Sequence, residues 1–228
     1  MDREGVDVAA LFPTIGLYVM GFDGLDPAFA AAICRAYNNW LYDFCQHAPE
    51  RLRGVAMIPP HDIMEAITET RRAVREFGFL GVFLHPSPVN GRQWHELQEM
   101  NVPVSFHEGT GTVIRQPGDQ FGKNRIMLHV ASHPIAMMYI SLSLIIGGVL
   151  EAFPRLRVAL LECNTGWVPF WLDRIDHDFA HSIGFSGRQR SLDCQRRLPR
   201  YFPCAPSSQL RNLSENNLNN IGNLKIYH

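Results

Sequence analysis

The chain has 228 residues, with 21 Lys+Arg against 22 Asp+Glu, a formal net charge of −1 and 46% apolar residues. That length suits one domain or a small pair, and it is enough to bury a core without disulfide or metal staples. The near-neutral balance argues against a general nucleic-acid or membrane-surface binder, and the apolar content excludes a wholly disordered chain. The five cysteines, Cys34, Cys45, Cys163, Cys194 and Cys204, are odd in number and widely spaced, with no C-x-x-C. They read as free thiols of a reducing cytoplasm rather than a disulfide framework or a zinc ribbon. The N-terminus lacks the basic-then-apolar order of a signal peptide. The longest run free of Asp, Glu, Lys, Arg and His, residues 134–150, falls short of the ~20 apolar residues of a spanning helix and is broken by Ser141, Ser143, Gly147 and Gly148. It is expected to be a buried helix.

Strand and helix patterns alternate along the chain. Residues 6–13 (VDVAALFP) form a short apolar run ended by proline. Asp26-Pro27 then offers an N-cap and a first-turn proline. Phe29, Ile33, Tyr37, Leu41 and Phe44 follow at helical spacing. Residues 53–60 (RGVAMIPP) predict a second strand. Asp62 and Glu65 have the spacing of a capping box, and Ile63, Ile67, Thr70, Val74 and Phe77 continue the helix to Gly78. Residues 79–86 (FLGVFLHP) predict a third strand, followed by a loop over 87–92 and at most a short helix over 94–100. Residues 102–109 (VPVSFHEG) and 157–164 (RVALLECN) predict strands that end in polar residues. A long helix is expected over 135–153, closed by Pro154, and an amphipathic one over 168–183.

Five strand–helix units with near-continuous apolar strands predict a parallel sheet covered by helices. In such folds the chemistry gathers at the carboxyl ends of the strands. Beyond about residue 185 the composition shifts to seven Lys+Arg against two Asp+Glu, with an Asn-rich stretch over 212–223. The expected division is therefore a βα domain over 1–184 and an irregular polar tail over 185–228.

The strand ends carry the candidate site residues. His107 closes one apolar strand and precedes Gly109-Thr110-Gly111; it can bind a metal or substrate, or simply hydrogen-bond a loop. Glu162 closes another, as a metal ligand, an acid/base group or half of a rim salt bridge. His133 stands at the start of the long helix, where it can reach a pocket above the strands. His129, four residues earlier, would share a helix face with it, but the H-E-x-x-H glutamate is absent and Pro134 disfavours helical geometry at His133. His85 ends the third strand, and Asn90 and Arg92 lie in the loop beyond it. These three can hold an anionic substrate, although Asn-Gly is also a plain turn signal. His47, His61, His95, His177, His181 and His228 read as solvated, and Cys163 as a buried, inert thiol. The chain has no G-x-S-x-G elbow, no phosphate loop and no complete dinucleotide fingerprint.

Together, residues 51–90 (RLRGVAMIPPHD…GFLGVFLHPSPVN), VPVSFHEGTG, HVASHP and IIGGVLEAFPRLRVALLECNTGWVPFWLDRID resemble the amidohydrolase-related family. The likeness is to its branch near aminocarboxymuconate-semialdehyde decarboxylase. The resemblance covers most of residues 1–184 and implies a (β/α)8, TIM-barrel fold around a divalent metal, expected to be zinc. It places His107 as the metal histidine after the fifth family strand. Glu162 falls where the decarboxylases carry a catalytic histidine. The family's first-strand His-x-His and its late metal aspartate have no counterpart here. The chain is thus expected to form an incomplete barrel of about five or six βα units, spanning the second to sixth family strands. The resemblance implies a metal-dependent hydrolase of a small amide, lactone or carboxylate, with Glu162 and His133 catalytic. The alternatives are a decarboxylase of an aromatic or related acid, and a truncated, non-catalytic remnant. The expected partner is a small-molecule substrate, with no nucleic acid or membrane. Exposed apolar strand edges would favour a homo-oligomer.

Overall fold

In the computed structural model the described residues are 1–22, 24–86, 102–109, 116–186 and 224–227, with backbone only for 179–186 and 224–227. Five short apolar runs become strands: β1 (Val8–Leu11), β2 (Leu52–Met57), β3 (Gly81–Leu84), β4 (Pro103–Phe106) and β5 (Arg157–Leu160). A sixth, β6 (Leu224–Tyr227), lies inside the stretch expected to be irregular and pairs with β1. The sheet order is β5-β4-β3-β2-β1-β6, and every pairing is parallel. This is an incomplete (β/α)8 barrel, as expected, with β5 and β6 at its two edges.

The connecting helices follow from local signals. Helix α1 (Gly16–Val19) is a single turn with no counterpart in the sequence reading. In α2 (Pro27–Cys45) the Asp26 carboxylate accepts from Phe29 N at 2.8 Å and proline occupies the first turn. In α3 (Ile63–Arg75) the Asp62 carboxylate accepts from Glu65 N at 2.9 Å. The Glu65 carboxylate reaches outward to Arg35 Nη1, at 3.0 Å.

Helix α4 (Arg125–Ile146) corrects the expected boundaries. It begins earlier, capped by Asn124, and carries Pro134 in its interior. His129 and His133 therefore do lie on successive turns of one helix. Proline was expected to disfavour this, but the hydrogen bond it removes would end at the carbonyl of Val130, an exposed residue that water can serve. One face of α4 is buried, through Leu128, Ser132, Ala136, Met137 and Leu144, while Ile126, Val130 and Tyr139 face outward. A short α5 (Val149–Ala152) follows, then α6 (Val168–Ser186).

The pleat divides the core in two. Ala56, Val82, Leu84, Val104, Phe106 and Val158 face the helices, with Leu41, Ala73, Met137 and Leu144 above them. Ala10, Phe12, Val55, Phe83 and Leu161 form a smaller cluster on the concave side. The close approach of β3 to β4 depends on Gly81, where an added Cβ would stand 2.6 Å from the Pro103 carbonyl.

One buried polar node ties the second βα unit together. Asn38, fully buried in α2, donates to the Met57 carbonyl at 2.8 Å and accepts from Met57 N at 3.0 Å. It also donates to Glu69 Oε1 at 2.6 Å, and Glu69 in turn forms a two-pronged pair with Arg72, at 2.7 and 2.9 Å. Asn38→Ala would strand the Met57 backbone groups and a buried carboxylate. We expect a loss of about 2–4 kcal/mol. Arg35→Ala removes only the exposed Arg35–Glu65 pair and should cost less than about 1 kcal/mol. Urea unfolding of both variants checks this; equal losses would contradict it.

Candidate metal centre

Side-chain alternation carries two histidines onto the concave face. Phe83 points to the concave cluster, so His85, two residues on, shares its side. Ser105 and His107 stand in the same relation on β4. The ladder runs one step past the strands, with His107 N donating to the Leu84 carbonyl at 3.3 Å and Leu161 N to the Phe106 carbonyl at 3.0 Å. It sets His85, His107 and Glu162 on three adjacent strand ends.

Glu162 reaches this group through its backbone. Leu161 already faces the concave cluster, so plain alternation would turn Glu162 toward the helices. Instead Glu162 has φ 54°, and Asn164, two residues on, has φ 53°. A left-handed glutamate costs on the order of 1–2 kcal/mol. Here that conformation brings the carboxylate to the imidazoles.

The result is a three-residue cluster. Glu162 Oε2 lies 3.4 Å from His107 Nε2 and 3.2 Å from His133 Nε2. The ligand-type atoms of all three residues lie within 4.8 Å of one another. Two donors on one tetrahedral metal, with bonds of about 2.1 Å, stand roughly 3.4 Å apart. The two measured edges match that span. His107 also has the support that metal-bound imidazoles usually show. Its Nδ1–H donates to the Glu108 carbonyl at 2.6 Å, which fixes the tautomer and turns the lone pair of Nε2 toward Glu162. Both histidines are buried, and Glu162 is about half exposed, leaving an open side for a small molecule. The residues present thus fit a divalent cation.

His133 is held neutral. Burial pushes its pKa below the ordinary 6.5, and the neighbouring His129, stacked on it at 4.1 Å, pushes the same way. Glu162 and Glu108 pull it upward, and burial outweighs them. A neutral imidazole is the form that binds metal.

The other sequence candidates divide. His85 is buried beside Glu108, with Nε2 at 3.6 Å from Oε1. Asn90 and Arg92 lie outside the described residues. His61, read as solvated, is buried instead, and its Nε2 donates to the Phe22 carbonyl at 2.6 Å. The sequence offered a clue in its place after Pro59-Pro60 at the end of β2. Cys163 is buried, as expected. Glu108 was not singled out, although it directly follows the metal-type histidine. The apolar cavity lined by Val158, Leu160, Trp167 and Trp171 opens on the helix side of β5, away from the cluster.

Parallel βα units whose strand ends gather two imidazoles and a carboxylate define an incomplete (β/α)8 barrel with a metal-type centre. Residues 1–192 match the amidohydrolase family model, and the chain belongs to that family. It is 24% identical over 186 residues to a 2-amino-3-carboxymuconate-6-semialdehyde decarboxylase of Dictyostelium discoideum, covering 78% of this chain and 50% of that protein. It is 28% identical over 175 residues to a gamma-resorcylate decarboxylase of Rhodococcus jostii, covering 65% and 50%. The chain thus spans about half the length of the curated relatives it matches. Among solved structures, the fold resembles 5-carboxyvanillate decarboxylase from Sphingomonas paucimobilis, with TM-score 0.67, 18% identity and coverage of 99% of this chain and 69% of that one. It also resembles the Novosphingobium aromaticivorans 5-carboxyvanillate decarboxylase, solved with bound manganese and a nitrobenzoic acid, with TM-score 0.60, 20% identity and coverage of 99% and 60%.

The depressed His133 pKa has a consequence in the metal-free protein. Below about pH 6.5 the unfolded chain takes up this proton before the folded one, so stability falls as pH falls, until the folded imidazole is protonated too. The groups facing His133 are His129, Glu162, Glu108 and the edge-on ring of His107 at 5.6 Å. His133→Gln should flatten the acid-side loss. Denaturant midpoints across a pH series check this, and an unchanged slope would remove His133 as its source.

Proposed function

We propose that this chain carries the site of a metal-dependent decarboxylase acting on an aromatic or related carboxylic acid. The observation that carries the reading is the His107–His133–Glu162 cluster at the carboxyl edge of the sheet. The decarboxylase names of several relatives support the reaction type. The sequence leaned toward a hydrolase because position 162 is glutamate rather than histidine. As a metal ligand, however, Glu162 no longer speaks to the reaction, and the balance moves to carboxylate loss.

In this reading His107, His133 and Glu162 hold the cation, and His85, Asn90 and Arg92 belong to substrate binding. When bound, the cation would polarise the substrate's carboxylate and adjoining oxygen. The protein's part is to fix the imidazole tautomer at His107, keep His133 neutral and hold the carboxylate of Glu162 in place. Two imidazoles and a carboxylate suit zinc, manganese or iron, so zinc remains the sequence-based choice and manganese its rival. The free thiols Cys34, Cys45 and Cys163 fit a cytoplasmic setting. The edges at β5 and β6, unpaired among the described residues, favour a homo-oligomer.

Elemental analysis of the purified chain should find about one zinc, manganese or iron per chain, lost in His107→Ala. The loaded protein should release carbon dioxide from hydroxylated benzoates. No metal in either form would favour the non-catalytic remnant. Metal without carbon dioxide release, but with turnover of amides or lactones, would restore the hydrolase. Light scattering addresses assembly, and a monodisperse monomer would count against the oligomer.

A further inference from the structure

One carboxylate at the carboxyl edge stands outside the metal-type cluster. Glu108 is 3% exposed, and its Oε1 makes no hydrogen bond among the described residues. Its neighbour is the buried imidazole of His85, at 3.6 Å, beyond hydrogen-bond length. The two side chains meet where β4 and β3 end. A buried acceptor left without a donor carries a desolvation penalty, larger for a charged group. Such an oxygen is satisfied when a ligand brings the donor. Glu108 is also near enough for its charge to act on His133, so it stands beside the cluster rather than apart from it.

We infer that Glu108 is a specificity-determining residue, accepting a hydrogen bond from a hydroxyl or amino substituent of the acid whose carboxylate end lies at the His107–His133–Glu162 cluster. His85 contributes to substrate binding through Glu108, as a positioning residue whose buried imidazole flanks the carboxyl at 3.6 Å. The inference rests on the proposed decarboxylase reading and narrows it. The substrate is an acid carrying a hydrogen-bond donor near its carboxyl group. A second carboxylate at that position is repelled, and a methoxy group leaves the oxygen without its donor.

The test is calorimetric titration of the metal-loaded full chain with ortho-hydroxybenzoate, ortho-methoxybenzoate and benzoate. The wild type should prefer the hydroxy acid by about tenfold or more, the increment expected of a charge-assisted hydrogen bond. In Glu108→Ala that preference should fall to within about twofold while bound metal is unchanged. Glu108→Gln, which keeps shape and an acceptor but not the charge, should fall between. His85→Asn should weaken the preference and leave metal content intact, which a purely structural lesion would not do. Circular dichroism confirms that each variant is folded; if Glu108→Ala is not, Glu108→Gln carries the test. A preference that survives both substitutions, or equal binding of the three acids by the wild type, overturns the assignment of Glu108 alone. No binding of any acid by the metal-loaded chain overturns the decarboxylase reading with it.

Discussion

Every strand of the sheet runs the same way. This constraint places the carboxyl end of each strand on one edge, and among the described residues α2, α3 and α4 are crossover helices between parallel strands. The strands are four to six residues long, so few backbone bonds hold any one pair. Register is instead fixed by the two faces. A slip of one residue would move Val82, Leu84, Val104 and Phe106 off the helices and send Phe83 and Ser105 in their place. The same slip would take His85 and His107 out of the concave face. Core packing and site geometry therefore depend on one registration.

The helices secure that registration through polar nodes as well as apolar contact. Asn38 grips both backbone groups of Met57 at the end of β2, while Glu69 and Arg72 carry the connection into α3. On the other side, Trp171 of α6 donates to Ser141 of α4 at 3.0 Å, and Ser132 of α4 accepts from Gly118 N at 3.2 Å. Helix α4 is thus held at both ends while its early turns present His133 to the strand ends.

Much of the fold was legible because its signals are local. Asp26-Pro27 and Asp62 start helices where the capping rule puts them, and the five apolar runs became strands. The extent of α4 was not legible. Asn124 is an inconspicuous cap, and only tertiary context shows that the carbonyl freed by Pro134 belongs to an exposed turn. Strand β6 was missed because a four-residue strand in a polar stretch has too few residues to show a period. At the site, His107 and Glu162 were readable as polar residues closing apolar strands. The link between them was not, since it depends on a left-handed backbone at 162 that no spacing rule encodes. Glu108 was overlooked because alternation assigns it to the opposite face from His107.

The backbone at 162 also bears on how this sequence can change over generations. Glycine would relax the turn and asparagine would tolerate it, yet either would remove the carboxylate. Under the proposed role of Glu162, folding and ligand-holding pull this position in opposite directions. A lineage that stopped using the centre would drift toward the relaxed residue, because nothing would oppose the gain in stability. In the proposed centre the acidic side chain sits on an uncomfortable backbone. Asn164, two residues on, shows the same left-handed backbone holding a residue that tolerates that conformation.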